Sequence, residues 1–298
     1  MEKRRFGRTD MEVSVLGFGG AEIGYEDASL EDVERLLGSA LDAGLNVIDT
    51  AECYADSEEK IGRAVGRRRN DFHLFTKCGH TGSDFNLPDW DPKMLEQSID
   101  RSLKRLRTDH VDLVQLHSCG RDMLEQGDVI AVLQRARDAG KTRYIGYSGD
   151  RDAAVYAIEC GAFDSLQTSI SIADQEPLTL TVPKALEREM GVIAKRPIAN
   201  AVWKNAENPG GYPEEYWNRL QKLNYPFLKK SMDEAVSVAL RFTLGTAGVH
   251  TAIVGTKNPQ RWVANARLLQ EGALPQEQIA EIRARWSEVA ADDWTGQG

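Results

Sequence analysis

Short apolar, β-branched runs alternate along the chain with longer stretches whose apolar residues recur at three- and four-residue intervals. The short runs predict strands at 13–18, 46–49, 72–76, 111–116, 142–147, 165–168, 192–194 and 251–254, since a brief continuous apolar run suits a strand buried on both faces. A further stretch at 4–8 is expected to pair ahead of them as a hairpin turning near Thr9 and Asp10. Between the strands lie helical patterns with boundary signals. Ser29 can cap a helix that carries Val33, Leu36, Leu37, Ala40 and Leu41 and stops at Gly44. Asp56 stands before another, with Glu59 at the capping-box position. Asp91-Pro92 opens a third, with Leu95, Ile99, Leu103 and Leu106 at helical spacing. Amphipathic stretches follow at 122–138, 151–160, 181–189, 232–244, 258–270 and, after the eighth unit, 275–290.

Strand–helix alternation implies parallel strands joined by right-handed crossovers, and eight units imply closure into a single (β/α)8 (TIM) barrel domain over 1–298, with an N-terminal hairpin and an extra C-terminal helix. An open doubly wound sheet is the alternative. Against it, the first strand runs into Gly17-Phe18-Gly19-Gly20-Ala21-Glu22, which lacks the GxGxxG spacing of a dinucleotide-binding turn. The longest break in the pattern, 196–231, holds Trp203, Pro209, Gly210, Gly211, Pro213, Trp217 and Pro226 and reads as a long loop covering one end of the barrel. Apolar residues make up 41% of 298, enough for a large core, yet no run reaches the roughly 18 needed to span a bilayer. With a charged start and no signal-peptide pattern, the chain is expected to be cytoplasmic. A net charge of −9 argues against nucleic-acid partners. The four cysteines show no CxxC spacing and are expected to be free thiols.

In such barrels the chemistry sits where strands end. The second expected strand ends at Asp49 and leads to Tyr54, the third leads to Lys77, and the fourth leads to His117. An acid, a phenol, an amine and an imidazole thus arise from three neighbouring strand ends. A lysine cation about 4 Å from a phenol contributes roughly 4 kcal/mol at an effective dielectric of about 20. That is enough to bring a tyrosine pKa down from about 10 to about 7. Asp49 would keep Lys77 charged and fixed, and His117 would polarise a carbonyl. The set amounts to a general acid with an oxyanion-stabilising partner. Each residue alone has an ordinary structural reading; their joint placement is what points to chemistry.

Asp49-Thr50-Ala51-Glu52-Cys53-Tyr54 with Ser57-Glu58 and Ile61-Gly62, then Phe75-Thr76-Lys77 and the run from Val111 to His117, resemble the signatures of the aldo-keto reductase family. The likeness extends from Gly7 to Asn265. It implies an oxidoreductase that reduces aldehydes or ketones with NADPH as cofactor. Tyr54 is the implied general acid, Lys77 and Asp49 tune it, and His117 orients the carbonyl. It also implies cofactor contacts at Gly20, Asp49, Ser148, Gln167, Lys195, Arg196, Pro197, Ile198, Gly255, Thr256, Lys257, Arg261 and Asn265. Thr256, Lys257 and Arg261 near a helix start suit a 2′-phosphate. No carboxylate, which would favour NAD, stands between Thr256 and Asn265.

Two departures bear on the nicotinamide end. Gly149 stands where the family usually has asparagine. Lys195-Arg196-Pro197 stands where it often has an aromatic, a role Trp203 can take over. Cys53, Cys78 and Cys119 flank the proposed catalytic residues, and packing or an oxidation-sensitive pocket both remain open. No metal site is expected: a zinc site from Cys53, Cys119 and His117 lacks the usual ligand spacing. Two other readings stand beside the reductase. One is an NADPH-binding regulatory or docking subunit with little turnover. The other is a metal-dependent hydrolase, which needs several His or Asp ligands at strand ends; only His117 of the five histidines closes an expected strand. Pocket walls are expected from the loops at 20–25, 80–90, 118–123 and 196–231.

Overall fold

Period-two alternation along a strand sends one set of side chains inward and the other toward the helices, and that division organises this molecule. The computed structural model describes residues 1–80 and 86–297; part of the expected 80–90 wall therefore lies outside the described residues. Its strands are β1 (Lys3–Arg5), β2 (Glu12–Ser14), β3 (Leu16–Gly19), β4 (Val47–Asp49), β5 (His73–Cys78), β6 (Val111–His117), β7 (Thr142–Ser148), β8 (Ser165–Ser169), β9 (Gly191–Lys195) and β10 (Thr251–Gly255). β3 through β10 form a closed eight-stranded barrel in chain order, with β10 pairing in parallel to both β9 and β3. This is the expected (β/α)8 barrel.

Outward residues such as Ile48, Leu74, Val114, Leu116, Leu166, Val192 and Val254 join the surrounding helices in the main apolar core. The inward set has two layers. Val47, Phe75, Leu113 and Ile193 fill the lower layer together with Phe6, Met11 and Val13 of the β1–β2 hairpin, which plugs the N-terminal end. Phe6 stacks on Phe75 with centroids 5.7 Å apart. Gly7 makes the plug possible: its φ is +55°, and a Cβ there would lie 2.4 Å from the Glu189 carbonyl oxygen. Two residues further along the same strands come Asp49, Lys77, Gln115 and Lys195, so the polar layer sits directly above a dry one.

Several sequence boundaries change. The expected strand 13–18 is two strands: residues 12–14 pair with β1, and 16–19 enter the barrel. The Asn46 side-chain oxygen accepts from the Ser14 amide at 2.6 Å, and the Ser14 hydroxyl accepts from the Asn46 amide at 3.1 Å, which fixes the break. Ser29 and Asp91 cap their helices (Leu30–Asp42, Pro92–Leu106) as expected. Asp56 does not cap the helix Ser57–Val65; its carboxylate pairs with Lys60 at 2.8 Å instead. The stretch 122–138 breaks into Arg121–Gln126 and Asp128–Asp138 at Gly127, where φ is +83°.

Segment 196–231 is more ordered than a loop. It contains the helix Glu214–Leu223, and Tyr216, Leu220 and Leu223 pack with Ile172, Phe242 and Ile282 in a second apolar cluster. The Ile282 contact comes from the extra C-terminal helix, Gln276–Val289. Buried Arg219 ties this layer together: its guanidinium pairs with Asp174, bonds the Thr295 carbonyl at 2.8 Å, and lies over the Trp294 ring. Among the described residues, no helix is long and apolar enough to cross a membrane.

Candidate active site

The upper layer of the barrel opens at the C-terminal ends of the strands, and the four expected catalytic residues meet there. Asp49 closes β4 and Lys77 stands near the end of β5; they are 1% and 2% exposed and form an ion pair. The Lys77 ammonium also donates to the Thr50 carbonyl at 2.9 Å, and the Gln115 amide donates to Asp49 at 3.2 Å. Gln115 precedes His117 by two positions on β6, so it faces inward too. Sequence reasoning passed over it, although strand alternation was the signal.

After β4 the chain keeps hydrogen bonding to β5 through the amides of Thr50 and Glu52, then turns, which carries Tyr54 back over the mouth. The Tyr54 hydroxyl lies 3.5 Å from His117 Nε2, and the Lys77 ammonium sits 5.2 Å from the centre of the Tyr54 ring. His117 Nδ1 faces the Cys53 sulfur at 3.4 Å. Burial, with the nearby charges of Lys77, Lys195 and Arg196 adding to it, holds His117 well below the usual histidine range, so its imidazole is neutral.

The expectation that Lys77 lowers the Tyr54 pKa is overturned. Burial raises the phenol well above its ordinary value, and the Asp49 charge adds to the effect. Desolvation is the largest cause, and the nearby Arg196 cation opposes it only in part. Desolvation also raises Asp49 itself, against the opposing effect of Lys77.

Sequence reasoning also passed over His80. Its imidazole bonds Asp89 at 3.1 Å and packs edge-on against both Trp90 and His117. Trp90 covers Gly79 so closely that a Cβ there would fall 1.9 Å from the ring. A histidine two residues past β5, across a glycine, was the available signal. Cys78 and Cys119 are buried with their thiols pushed up by desolvation, Cys119 to about 12; neither is a reactive thiolate.

The expected cofactor residues fall into two groups on the same rim. At the expected nicotinamide end, buried Ser148 closes β7 and pairs with buried Gln167 in the middle of β8. The Gln167 amide lies close enough to Asp49 to help hold that carboxylate down, yet neither of its polar atoms has a well-formed hydrogen bond. An unpartnered buried amide costs free energy, and it fits a carboxamide ligand. Gly149 has a physical reason: a Cβ there would meet the Tyr147 hydroxyl at 2.4 Å, so that phenol fills the space an asparagine would need. Lys195 pairs with Asp150 at 3.0 Å, and Arg196 donates to Ser169 at 2.8 Å while lying under the Tyr212 ring. Pro197 and Ile198 continue into a strained turn where Ala199, Asn200 and Ala201 all have positive φ. The Gly20 amide donates to the Asp49 backbone carbonyl at 2.8 Å, which ties the end of β3 to the end of β4.

At the other end, Gly255 closes β10, exposed Arg261 opens the helix Arg261–Leu268, and Asn265 is buried on it. The Trp262 indole donates to the Gly17 carbonyl at 3.2 Å and anchors that helix. Thr256 turns its hydroxyl to the Asn258 amide. The sequence reading found no carboxylate here; the fold supplies two. Glu26 lies 3.5 Å from the Lys257 ammonium, and its carbonyl accepts from that ammonium at 3.1 Å. Glu22 lies against the Gly255 backbone, its carboxyl raised by burial.

Residues 15–287 match the model of the Aldo/keto reductase family. The "Uncharacterized oxidoreductase YqkF" of Bacillus subtilis is 27% identical, with 95% of this chain and 96% of that protein covered. The "L-galactose dehydrogenase" of Arabidopsis thaliana is 26% identical over 99% of this chain and 97% of its own. Among solved structures, the holo form of "aldo-keto reductase AKR11C1" from Bacillus halodurans superposes with a TM-score of 0.84 at 25% identity, covering 98% of this chain and 99% of that one. With the barrel, the polar rim and the family match in agreement, the chain belongs to the Aldo/keto reductase family.

Proposed function

We propose that the chain, acting as one barrel domain, reduces aldehydes or ketones with NADPH and that Tyr54 donates the proton. The observation that carries this reading is the convergence of the Tyr54 hydroxyl and His117 Nε2, 3.5 Å apart, above the buried Asp49–Lys77 pair. A bound nicotinamide cofactor supplies the hydride. Gln167 and Ser148 offer polar groups for its carboxamide; Thr256, Lys257 and Arg261 offer a hydroxyl and two cations for a 2′-phosphate.

A carbonyl oxygen placed between Tyr54 and His117 takes two hydrogen bonds, and negative charge grows on it as the carbon is reduced. Neutral His117 holds that oxygen by hydrogen bonding. Tyr54 keeps its proton until needed, because burial raises its pKa. Transfer to the developing alkoxide is favoured because an alkoxide is about as basic as hydroxide and a far stronger base than the starting carbonyl oxygen. Lys77, held by Asp49, contributes a fixed positive charge under the ring.

NADPH oxidation by the purified chain with an aromatic aldehyde tests the reading, with NADPH and NADH dissociation constants measured separately. Turnover with tighter NADPH binding is expected. Tight NADPH binding without turnover would favour the docking-subunit reading instead.

A further inference from the structure

Cys53 touches the imidazole of His117 on the side away from Tyr54, and the proposed reaction leaves it without a role. A neutral imidazole carries one proton, and the group facing each nitrogen decides where it sits. His117 Nδ1 faces the Cys53 sulfur at 3.4 Å, and Nε2 faces the Tyr54 hydroxyl at 3.5 Å. A protonated thiol is a weak donor through S–H and a weak acceptor through its sulfur.

We infer that Cys53 is a positioning residue: its S–H donates to His117 Nδ1 and thereby keeps the imidazole proton on Nε2, facing the carbonyl oxygen. This rests on the carbonyl-reduction reading above. Burial pushes the Cys53 thiol above its ordinary pKa, which keeps the S–H in place at neutral pH. The Cys53 backbone is held as well, since its carbonyl accepts from the Tyr25 hydroxyl at 2.9 Å.

The consequence is directional. With Nε2 protonated, both His117 and Tyr54 are donors toward one point, and an oxygen there meets two N–H or O–H groups. With the proton on Nδ1, Nε2 becomes an acceptor aimed at Tyr54. It then draws the phenol proton toward itself and away from the substrate, and the carbonyl loses one donor. Among the described residues, the polar or charged groups near the ring are Cys53, Tyr54, Lys77, His80, Lys195 and Arg196. Lys77, Lys195 and Arg196 carry no side-chain acceptor, and among the described residues it is Cys53 that meets Nδ1 within hydrogen-bonding distance.

The test is the nitrogen-15 NMR signature of His117 in the full chain at neutral pH, with the resonance assigned by its loss in His117→Gln. It is paired with single-turnover hydride transfer from NADPH to an aromatic aldehyde. The unaltered chain is expected to show protonated Nε2 and a hydrogen-bonded Nδ1 acceptor. Cys53→Ala should lose the Nδ1 acceptor signature, show mixed tautomers and slow hydride transfer about fivefold, the worth of one ordinary hydrogen bond, with KM nearly unchanged. Cys53→Ser, which restores a hydroxyl donor, should regain both the signature and the rate. The assignment is overturned if the unaltered chain carries the proton on Nδ1, or if Cys53→Ala matches it in both tautomer and rate. A chain that transfers no hydride at all contradicts the proposed function, while the NMR signature still decides the role of Cys53.

Discussion

Lys77→Met removes one charge from a pair that water does not reach. Both partners are at most 2% exposed, and Asp49 would keep the amides of Gln115 and Gln167 but no cation. Breaking a buried ion pair on one side costs about 3–5 kcal/mol. The carboxyl has an escape: at pH 7 it can take up a proton at a cost of about 4 kcal/mol, given an unfolded pKa of about 3.9. The expected loss is therefore about 3–4 kcal/mol, out of a typical domain stability of about 5–15 kcal/mol. In urea that lowers the unfolding midpoint by roughly 1 M, with a slope of about 3 kcal/mol/M. The sign with pH follows. Burial already raises the folded Asp49 pKa with Lys77 in place, and loss of the lysine raises it further. Folded Asp49 then holds a proton that the unfolded chain releases, so stability falls as pH rises from about 4 toward the folded value. Lys77→Met should thus recover stability, relative to the unaltered chain, as pH is lowered from 7 to 5. Asp49→Asn should cost a similar 3–5 kcal/mol, and the double variant far less than the two losses combined, with a coupling of about 2–3 kcal/mol. Losses below about 1 kcal/mol, or additive ones, would refute the buried pair as the frame of the site.

Replacing both Lys257 and Arg261 by Ala should raise the NADPH dissociation constant roughly 5- to 30-fold, about 1–2 kcal/mol for two exposed charge contacts, and leave NADH binding nearly unchanged. Glu26→Gln should act in the opposite direction and tighten NADPH, as read by isothermal titration. Trypsin should cut after exposed Lys204 before it reaches the packed helix Glu214–Leu223, and NADPH should slow that cut; equal cleavage in both states would remove the cofactor from this segment. Arg219→Met should cost about 3–5 kcal/mol in urea unfolding because it leaves the buried Asp174 carboxylate with the Tyr216 hydroxyl but no cation.

The barrel was legible because each buried parallel strand reads as its own apolar run, and eight such runs leave few ways to close. The candidate site was legible for a related reason: Asp49, Lys77 and His117 are the polar interruptions at the ends of those runs. What escaped depended on approach in space. Glu26 reaches Lys257 across 231 positions of the chain, and no local pattern announces it. His80 and Gln115 were readable in principle, one across a glycine from the lysine strand and the other in phase with His117. The direction of the Tyr54 shift failed for a different reason. The charge of Lys77 can be counted in a sequence, but the desolvation of the phenol and the approach of the Asp49 charge to it are properties of the packed rim.

The most direct test of the account is single-turnover hydride transfer from NADPH to a simple aromatic aldehyde in Tyr54→Phe, with NADPH affinity measured separately by fluorescence titration. The variant keeps the ring that packs at the mouth and loses only the hydroxyl that meets His117. The account predicts nearly unchanged NADPH binding and a rate reduced about 10²–10⁴-fold, the usual contribution of a positioned acid. Hydride transfer close to that of the unaltered chain, with the cofactor still bound, would contradict it, because another group would then be supplying the proton.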